Sequence, residues 1–422
     1  TAKAAQSGAA QLKDPDRDGK NGGFVDKSAL LSHNGRRQKM DAPRTNEAEK
    51  GQGMRELDIG QFWRDDAPAH ENNCFNNAPQ IPLGILMSDE CVFAELGEEG
   101  TPWMPIPLER RIDLNRRYND KAERLVGKRL LQEEFLPEDA RLPYVRRIGE
   151  VFGGQYLYHN ETEWLTQSVH SEKELEALLD RVERMDLRAF MLPDNWEKEK
   201  KRVYERYGVR PELMRHIRGP VTLACSIMGA EDLLFLILDE PDLARRFSRA
   251  ITKVALGMAA VMDEECGTTP DKTRGFSFAD DNSCLLNPEM YELFGLPVLS
   301  EVFSVYSPDE DDKRYQHSDS AMGHLLPLLS RVRLNGVNFG PTVLVPEIRR
   351  HLPKARIDGC LSPMVFMRNE RDKIIEEVTR DCQDALMYNG VNIATAGSIN
   401  NGSSLDSLRL VMQVIQNYGR RA

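Results

Sequence analysis

From about residue 215 to its end, the chain alternates short apolar runs with longer stretches of helical spacing. Strands are expected at 221–226, 275–280, near 300–306, in the run that ends at His317, and at 336–340, 356–360 and 391–397. Helices are expected at 230–264 with a break at Pro241, from Pro288 onward, and at 321–332, 369–388 and 404–418. Regular strand–helix alternation implies parallel βα units, closed as a barrel or open as a doubly wound sheet. No GxGxxG follows a strand, which argues against the dinucleotide-binding version. The expectation is an α/β chain built as a (β/α)8 TIM-type barrel.

Upstream the pattern is mostly helical. Residues 109–134 have helical spacing, and 171–189 open with Ser171 and acidic residues in the first turn, a good N-terminal signal. A strand at 154–159 lies between them. Residues 1–58 are rich in Gly, Ala, Asn, Lys and Asp and nearly free of large apolar side chains, so they bury too little surface to offset their ordering entropy. The organisation expected is an extended or flexible arm over 1–58, a helical part over 59–205, and the remainder of the barrel with its catalytic mouth over 206–422. An arm of this kind also suits packing on a second copy, which leaves a homodimer open.

Composition narrows the function classes. A formal charge of −11 over 422 residues argues against nucleic acid or an anionic membrane as partner. No apolar run approaches the ~20 residues of a membrane span. Seven cysteines without a CxxC spacing point away from a disulfide framework and toward a reducing cytoplasm.

The chemistry sits where the strands end. The 275–280 strand stops at Asp280 and Asp281, and a later strand stops at His317, followed by Asp319. Barrels present their active sites at the C-terminal ends of the strands, so Asp280, Asp281, His317 and Asp319 are the catalytic candidates. Only one of two adjacent aspartates can face the mouth; its neighbour is expected to orient the loop or cap the helix from Pro288. His317 and Asp319 share a face while the chain stays extended, which makes them a usable acid–base or ligand pair. The alternative is a histidine bonded to backbone. His324 is expected to pack or cap. Asn338, at the end of the next strand, is a candidate for bonding substrate oxygens, and Phe278 and Tyr158 for lining a ring pocket, although strand spacing alone fits a core role equally well.

Taken in order and spacing, these residues resemble the uroporphyrinogen decarboxylase superfamily over roughly 140–420. The resemblance runs through Phe152-Gly153-Gly154, Gly219-Pro220, Asp280-Asp281, Asn287-Pro288, Leu296-Pro297, His317, Asn338-Phe339-Gly340, Gly359 and Gly397-Ser398. The phrases from His317 to Pro327 and from Ala394 to Asn400 are most similar to the corrinoid-dependent methyltransferases that open O-demethylase systems. That resemblance implies a methyltransferase that takes the methyl group from a small methoxylated aromatic and passes it to the Co(I) corrinoid of a partner corrinoid protein. No Asp-x-His-x-x-Gly segment is present to hold a corrinoid on this chain. The group's Glu-x14-Glu-x20-His pattern, proposed to bind zinc, falls here on Glu123, Glu138 and His159. Thiol-methylating relatives hold zinc through His-x-Cys and a later cysteine; here those places read His317-Ser318-Asp319 and Gly397-Ser398, so soft ligands are missing. The arginine-rich loop of true decarboxylases has no clear copy. A decarboxylase of a tetrapyrrole or polycarboxylate, gripped by Arg146, Arg147 and Arg314, is the alternative. A non-catalytic corrinoid- or porphyrin-binding barrel is the second.

Overall fold

The computed structural model describes residues 53–100, 102, 105–159 and 162–421, without the side chains of Tyr158, His159 and Thr162. Most of the expected arm lies outside the described residues. The described compact unit starts at Gly53. Arg55 and Asp58 donate their backbone N–H groups to Asn417 and Gln416 of the last helix, at 2.9 and 2.8 Å.

Six parallel strands follow one another in chain order: β3 (His216–Arg218), β4 (Phe276–Ala279), β5 (Arg314–Ser318), β6 (Gly336–Phe339), β7 (Arg356–Leu361) and β8 (Val391–Thr395). A seventh extended segment adds to the β8 edge. Leu83 bridges Ile393 in parallel, with Gly84 N–H to Ile393 O at 2.7 Å and Ile393 N–H to Pro82 O at 2.9 Å. Sequential parallel order is that of a (β/α) barrel. Among the described residues no ladder joins β3 to the 82–84 segment. On that side lies a cleft of about 1130 Å³, lined by parts of 105–111, 135–147 and 209–216. A small antiparallel hairpin, β1 (Tyr156–His159) with β2 (Thr162–Leu165), precedes the barrel strands.

Two expected strands are helix. Residues 221–226 lie in the helix Pro220–Met228, and 300–306 form the last turns of the helix Pro288–Tyr306. The first is apolar on nearly every face because it is buried nearly all round, and a short run of that kind has no period to separate strand from helix. In the second, Val302, Phe303 and Tyr306 are buried while Ser300, Glu301, Ser304 and Val305 face outward, a helical spacing too short to stand out by itself. Pro220 after Gly219 is the helix-start signal that decides the first case. Pro241 does break the long helix, into Ala230–Asp239 and Pro241–Cys266. The expected 109–134 helix stops at Val126, where Gly127 takes φ +74°. The expected helix at 321–332 is a series of short turns. Among the described residues no single helix is long and apolar enough to cross a membrane.

The wall of the barrel is polar inside and mostly apolar outside, except on β5, where Arg314, Gln316 and Ser318 are buried facing outward. Ile217, Phe276, Phe278, Val337, Phe339, Ile357 and Ile393 are buried against the helices. The opposite faces carry a polar layer. Arg356 gives two bonds of 2.9 Å to Asp358, Asn392 gives one of 2.9 Å, and the Tyr315 hydroxyl reaches Asp358 at 3.2 Å. Tyr315 crosses β6 to do this because Gly336 lies there: a Cβ at 336 would stand 2.7 Å from its ring. Ordinary (β/α)8 interiors are filled by Val, Ile and Leu.

Candidate active site at the strand ends

The two aspartates after β4 go separate ways. Asp280 turns outward and is fully buried, its Oδ1 accepting the Thr222 N–H at 2.7 Å. It therefore caps the N-terminus of the 220–228 helix, not the helix that begins at Pro288; Asn287 caps that one. Gly219 makes the approach possible, since a Cβ there would stand 2.3 Å from the Asp280 Cβ. Burial pushes the Asp280 carboxyl up to about 7, against the pull of N–H and O–H donors on Thr222 and Val221. Its second oxygen has no hydrogen-bond partner among the described residues, and the buried Tyr291 lies nearby, its hydroxyl beside Gln316.

Asp281 faces the mouth. Its Oδ1 accepts the Asp319 N–H at 2.8 Å, and His317 Nε2 lies 2.9 Å from Asp319 Oδ1. One ligand atom from each of Asp281, His317 and Asp319 falls within 4.8 Å of the others. Asn338 is the register partner of His317 on β6. Its amide donates to the carbonyls of Asp358 and Thr395, the latter at 2.9 Å, so its oxygen is left for the imidazole. Burial disfavours the imidazolium, but the Asp319 bond, the Asp319 and Asp281 charges and Asn338 together leave the His317 pKa raised. Two glycines let Asp319 sit here. A Cβ at Gly340 would come within 2.8 Å of the Asp319 carbonyl oxygen, and one at Gly397, where φ is +128°, within 2.8 Å of its Oδ1.

The other candidates are scattered. Phe278 lies on the outer face of β4, packed edge-on against Phe303, because Ser277 and Ala279 take the inner face. Glu123 is exposed on its helix and paired with Arg129 at 3.1 Å, whereas Glu138 lines the side cleft. The side chains of Tyr158 and His159, the third member of that pattern, lie outside the described residues. His324 packs against the Leu286 carbonyl at 2.8 Å, as expected. Arg314 is buried and clamps the carbonyls of Ser307, Pro308 and Asp309, so it faces no ligand. Arg147 forks onto Glu163 at 2.6 and 2.9 Å and stacks on Tyr156. Sequence reasoning passed over His216 and Arg218, whose strand is short and polar; the adjoining Gly219-Pro220 was the available signal.

One imidazole and two carboxylates, with the ring oriented by Asn338, form a donor set that a divalent first-row ion accepts. Among the described residues this is the one trio of its kind, and it contains no thiolate. Its place at the C-terminal ends of parallel barrel strands is the place of an enzyme's active site.

Residues 198–418, just over half of the chain, match the family described as uroporphyrinogen decarboxylase, and the chain belongs to that family. A methyltransferase from Methanosarcina mazei is similar in structure at 15% identity, covering 80% of this chain and 95% of its own, with a TM-score of 0.48. Comparison with the curated proteins finds no match.

Proposed function

We propose that this protein is a methyltransferase that cleaves the methyl–oxygen bond of a small methoxylated aromatic and delivers the methyl group to the Co(I) corrinoid of a partner protein. The observation that carries the reading is the Asp281–His317–Asp319 trio, a set of hard donors at the barrel mouth. Thiolate-rich sites suit activation of a thiol acceptor; carboxylate and imidazole ligands suit a harder ion and an oxygen-bearing substrate. Breaking an aryl methyl ether leaves the bonding pair on the aryl oxygen, as a phenolate whose conjugate acid has a pKa of about 10. Asp281, His317 and Asp319 would hold a divalent ion such as zinc, which would supply Lewis-acid stabilisation of that oxygen. Without the ion, the same residues offer a proton: His317 is held toward its charged form, and a proton passed from its ring nitrogen to the departing oxygen returns the imidazole to neutral. Asn338 fixes the ring, and Asp319 is locked by its backbone bond to Asp281. The motif trio Glu123, Glu138 and His159 is the rival seat for the ion.

Elemental analysis of the purified protein separates the two seats. The reading expects near-stoichiometric divalent metal, lost in His317→Ala and Asp319→Ala and retained in Glu138→Ala, with methoxyarene-dependent methylation of a Co(I) corrinoid protein. Metal lost only in Glu138→Ala would move the centre to the motif residues. No demethylation of any methoxyarene would sink the reading.

One observation favours a second reading, decarboxylation of a tetrapyrrole or other polycarboxylate. Arg141, Arg146 and Arg210 line the side cleft and pair with no carboxylate among the described residues. Release of CO2 from uroporphyrinogen, lost in Arg146→Gln, is its test.

A further inference from the structure

We propose that Arg218 reads a carboxylate on the substrate, so that the preferred ligand is a methoxylated aromatic acid and not a neutral ether. The inference rests on the demethylase reading for what the mouth does, and on geometry for what it binds. Arg218 ends β3, in register with Ala279 of β4, which is itself in register with His317 of β5. The two residues therefore stand in one layer of the barrel, two strand spacings or about 10 Å apart between Cα atoms. That is a separation which an aromatic ring with substituents at opposite positions can bridge.

The guanidinium is positioned for that purpose. One nitrogen of Arg218 donates to Ser226 Oγ at 2.8 Å, and Ser226 in turn donates to the Thr222 carbonyl at 2.9 Å. Thr222 Oγ1 accepts the Asn282 N–H at 3.0 Å, one residue beyond Asp281. The same helix face thus touches both Arg218 and the turn that carries the metal-type ligand. Arg218 is half-buried, yet among the described residues no carboxylate forms an ion pair with it. Among the described residues its neighbourhood holds Arg147 and the acids Glu150 and Glu163, and Glu150 accepts the Arg147 backbone N–H at 2.7 Å. Arg147 takes both oxygens of Glu163; that bond, with the Arg147 and Arg218 charges, holds the Glu163 carboxyl below its usual range. A half-buried guanidinium that makes no ion pair is costly unless an anion meets it, and its planar fork matches a carboxylate with two parallel bonds.

The test is calorimetric, on the metal-loaded full chain, with 4-methoxybenzoate and its neutral analogue 4-methoxytoluene as ligands. The wild type is expected to bind the acid about 10- to 100-fold more tightly than the neutral compound, the range of a charge-assisted pair. In Arg218→Gln the ratio should collapse to within about twofold. Ser226→Ala keeps the charge but releases the guanidinium, and Arg218→Lys keeps the charge without the fork, so each should give an intermediate ratio. These two variants also serve if Arg218→Gln does not fold. Equal affinities in the wild type, a ratio unchanged in Arg218→Gln, or no binding of either compound would overturn the inference. A ratio that depends on Arg218 without any methyl transfer to a corrinoid would leave the carboxylate site standing and defeat the demethylase reading instead.

Discussion

Asp280 carries a prediction that its burial fixes in sign and size. Its carboxyl is pushed up to about 7 from an ordinary value of 3.8, chiefly by desolvation. The folded protein therefore holds this proton to a higher pH than the unfolded chain does. Between about pH 4 and 7 the folded state binds more protons, and stability falls as pH rises through that window. A rise of about three pH units corresponds to about 4 kcal/mol, of which roughly 2.6 kcal/mol is lost between pH 5 and pH 8. Asp280→Asn removes the titration. Its carbonyl oxygen still accepts the Thr222 N–H, and its NH2 takes the place of the oxygen that has no partner, near the Tyr291 hydroxyl. Thermal unfolding of parent and variant at pH 5, 6, 7 and 8 reads the result. The variant should gain on the parent by several degrees as pH rises, with most of the change complete by pH 7. A difference that is flat with pH, or one that grows on the acid side, would refute the assignment of Asp280 as a buried, largely protonated cap.

Two further substitutions probe the support of the site. Gly397→Ala places a Cβ at φ +128° and 2.8 Å from Asp319 Oδ1, so it should cost about 1–3 kcal/mol of stability and weaken zinc binding about 10- to 100-fold in a titration followed by calorimetry. Unchanged zinc affinity would remove Asp319 from the ligand set. Asp358→Ala leaves Arg356 in the lumen without its acid and should lower stability by about 2–4 kcal/mol, a value discounted because Arg356 remains one-third exposed. Arg356→Met added to Asp358→Ala should recover part of the loss in chemical denaturation; no recovery would mean that the pair is not the source of the cost.

The sequence was most readable where chemistry and turn residues coincide. The alternation after residue 215 implied the parallel sheet, and His317-Ser318-Asp319 together with Asp281 marked the mouth that the structure assembles from β4 and β5. Gly340 and Gly397 entered as parts of a family phrase and proved to be the positions where Asp319 needs room. Three things were hidden. The helix Pro220–Met228, sheathed in apolar contacts, carries no amphipathic period and passes for a strand, and the last turns of Pro288–Tyr306 are too short for their helical spacing to stand out. Strand β3 reads as a polar loop, because His216 and Arg218 point into a lumen that is itself polar. Strand parity left open which of Asp280 and Asp281 faces inward, since the chain leaves the strand conformation at that step. Only the contact with Gly219 and Thr222 decides it.

The polar lumen bears on the mouth above it. Asp358 gathers Arg356, Asn392 and Tyr315 from three strands, and its backbone carbonyl accepts the Asn338 amide, which faces His317. A hydrogen-bonded path thus runs from the floor of the barrel through Asn338 to His317 and Asp319. An apolar filling would pack the barrel equally well but would leave the imidazole without a fixed partner on its second nitrogen. Holding a ligand ring to within a few tenths of an ångström takes this kind of support, because a ring free to rotate loses its lone-pair direction at once. The cost of burying these charges is met by complete pairing of Asp358, and the return is a mouth whose geometry is set before substrate arrives. On this reading the departure from an apolar barrel interior belongs to the chemistry of the site, and the family's strand order supplies the frame on which it is built.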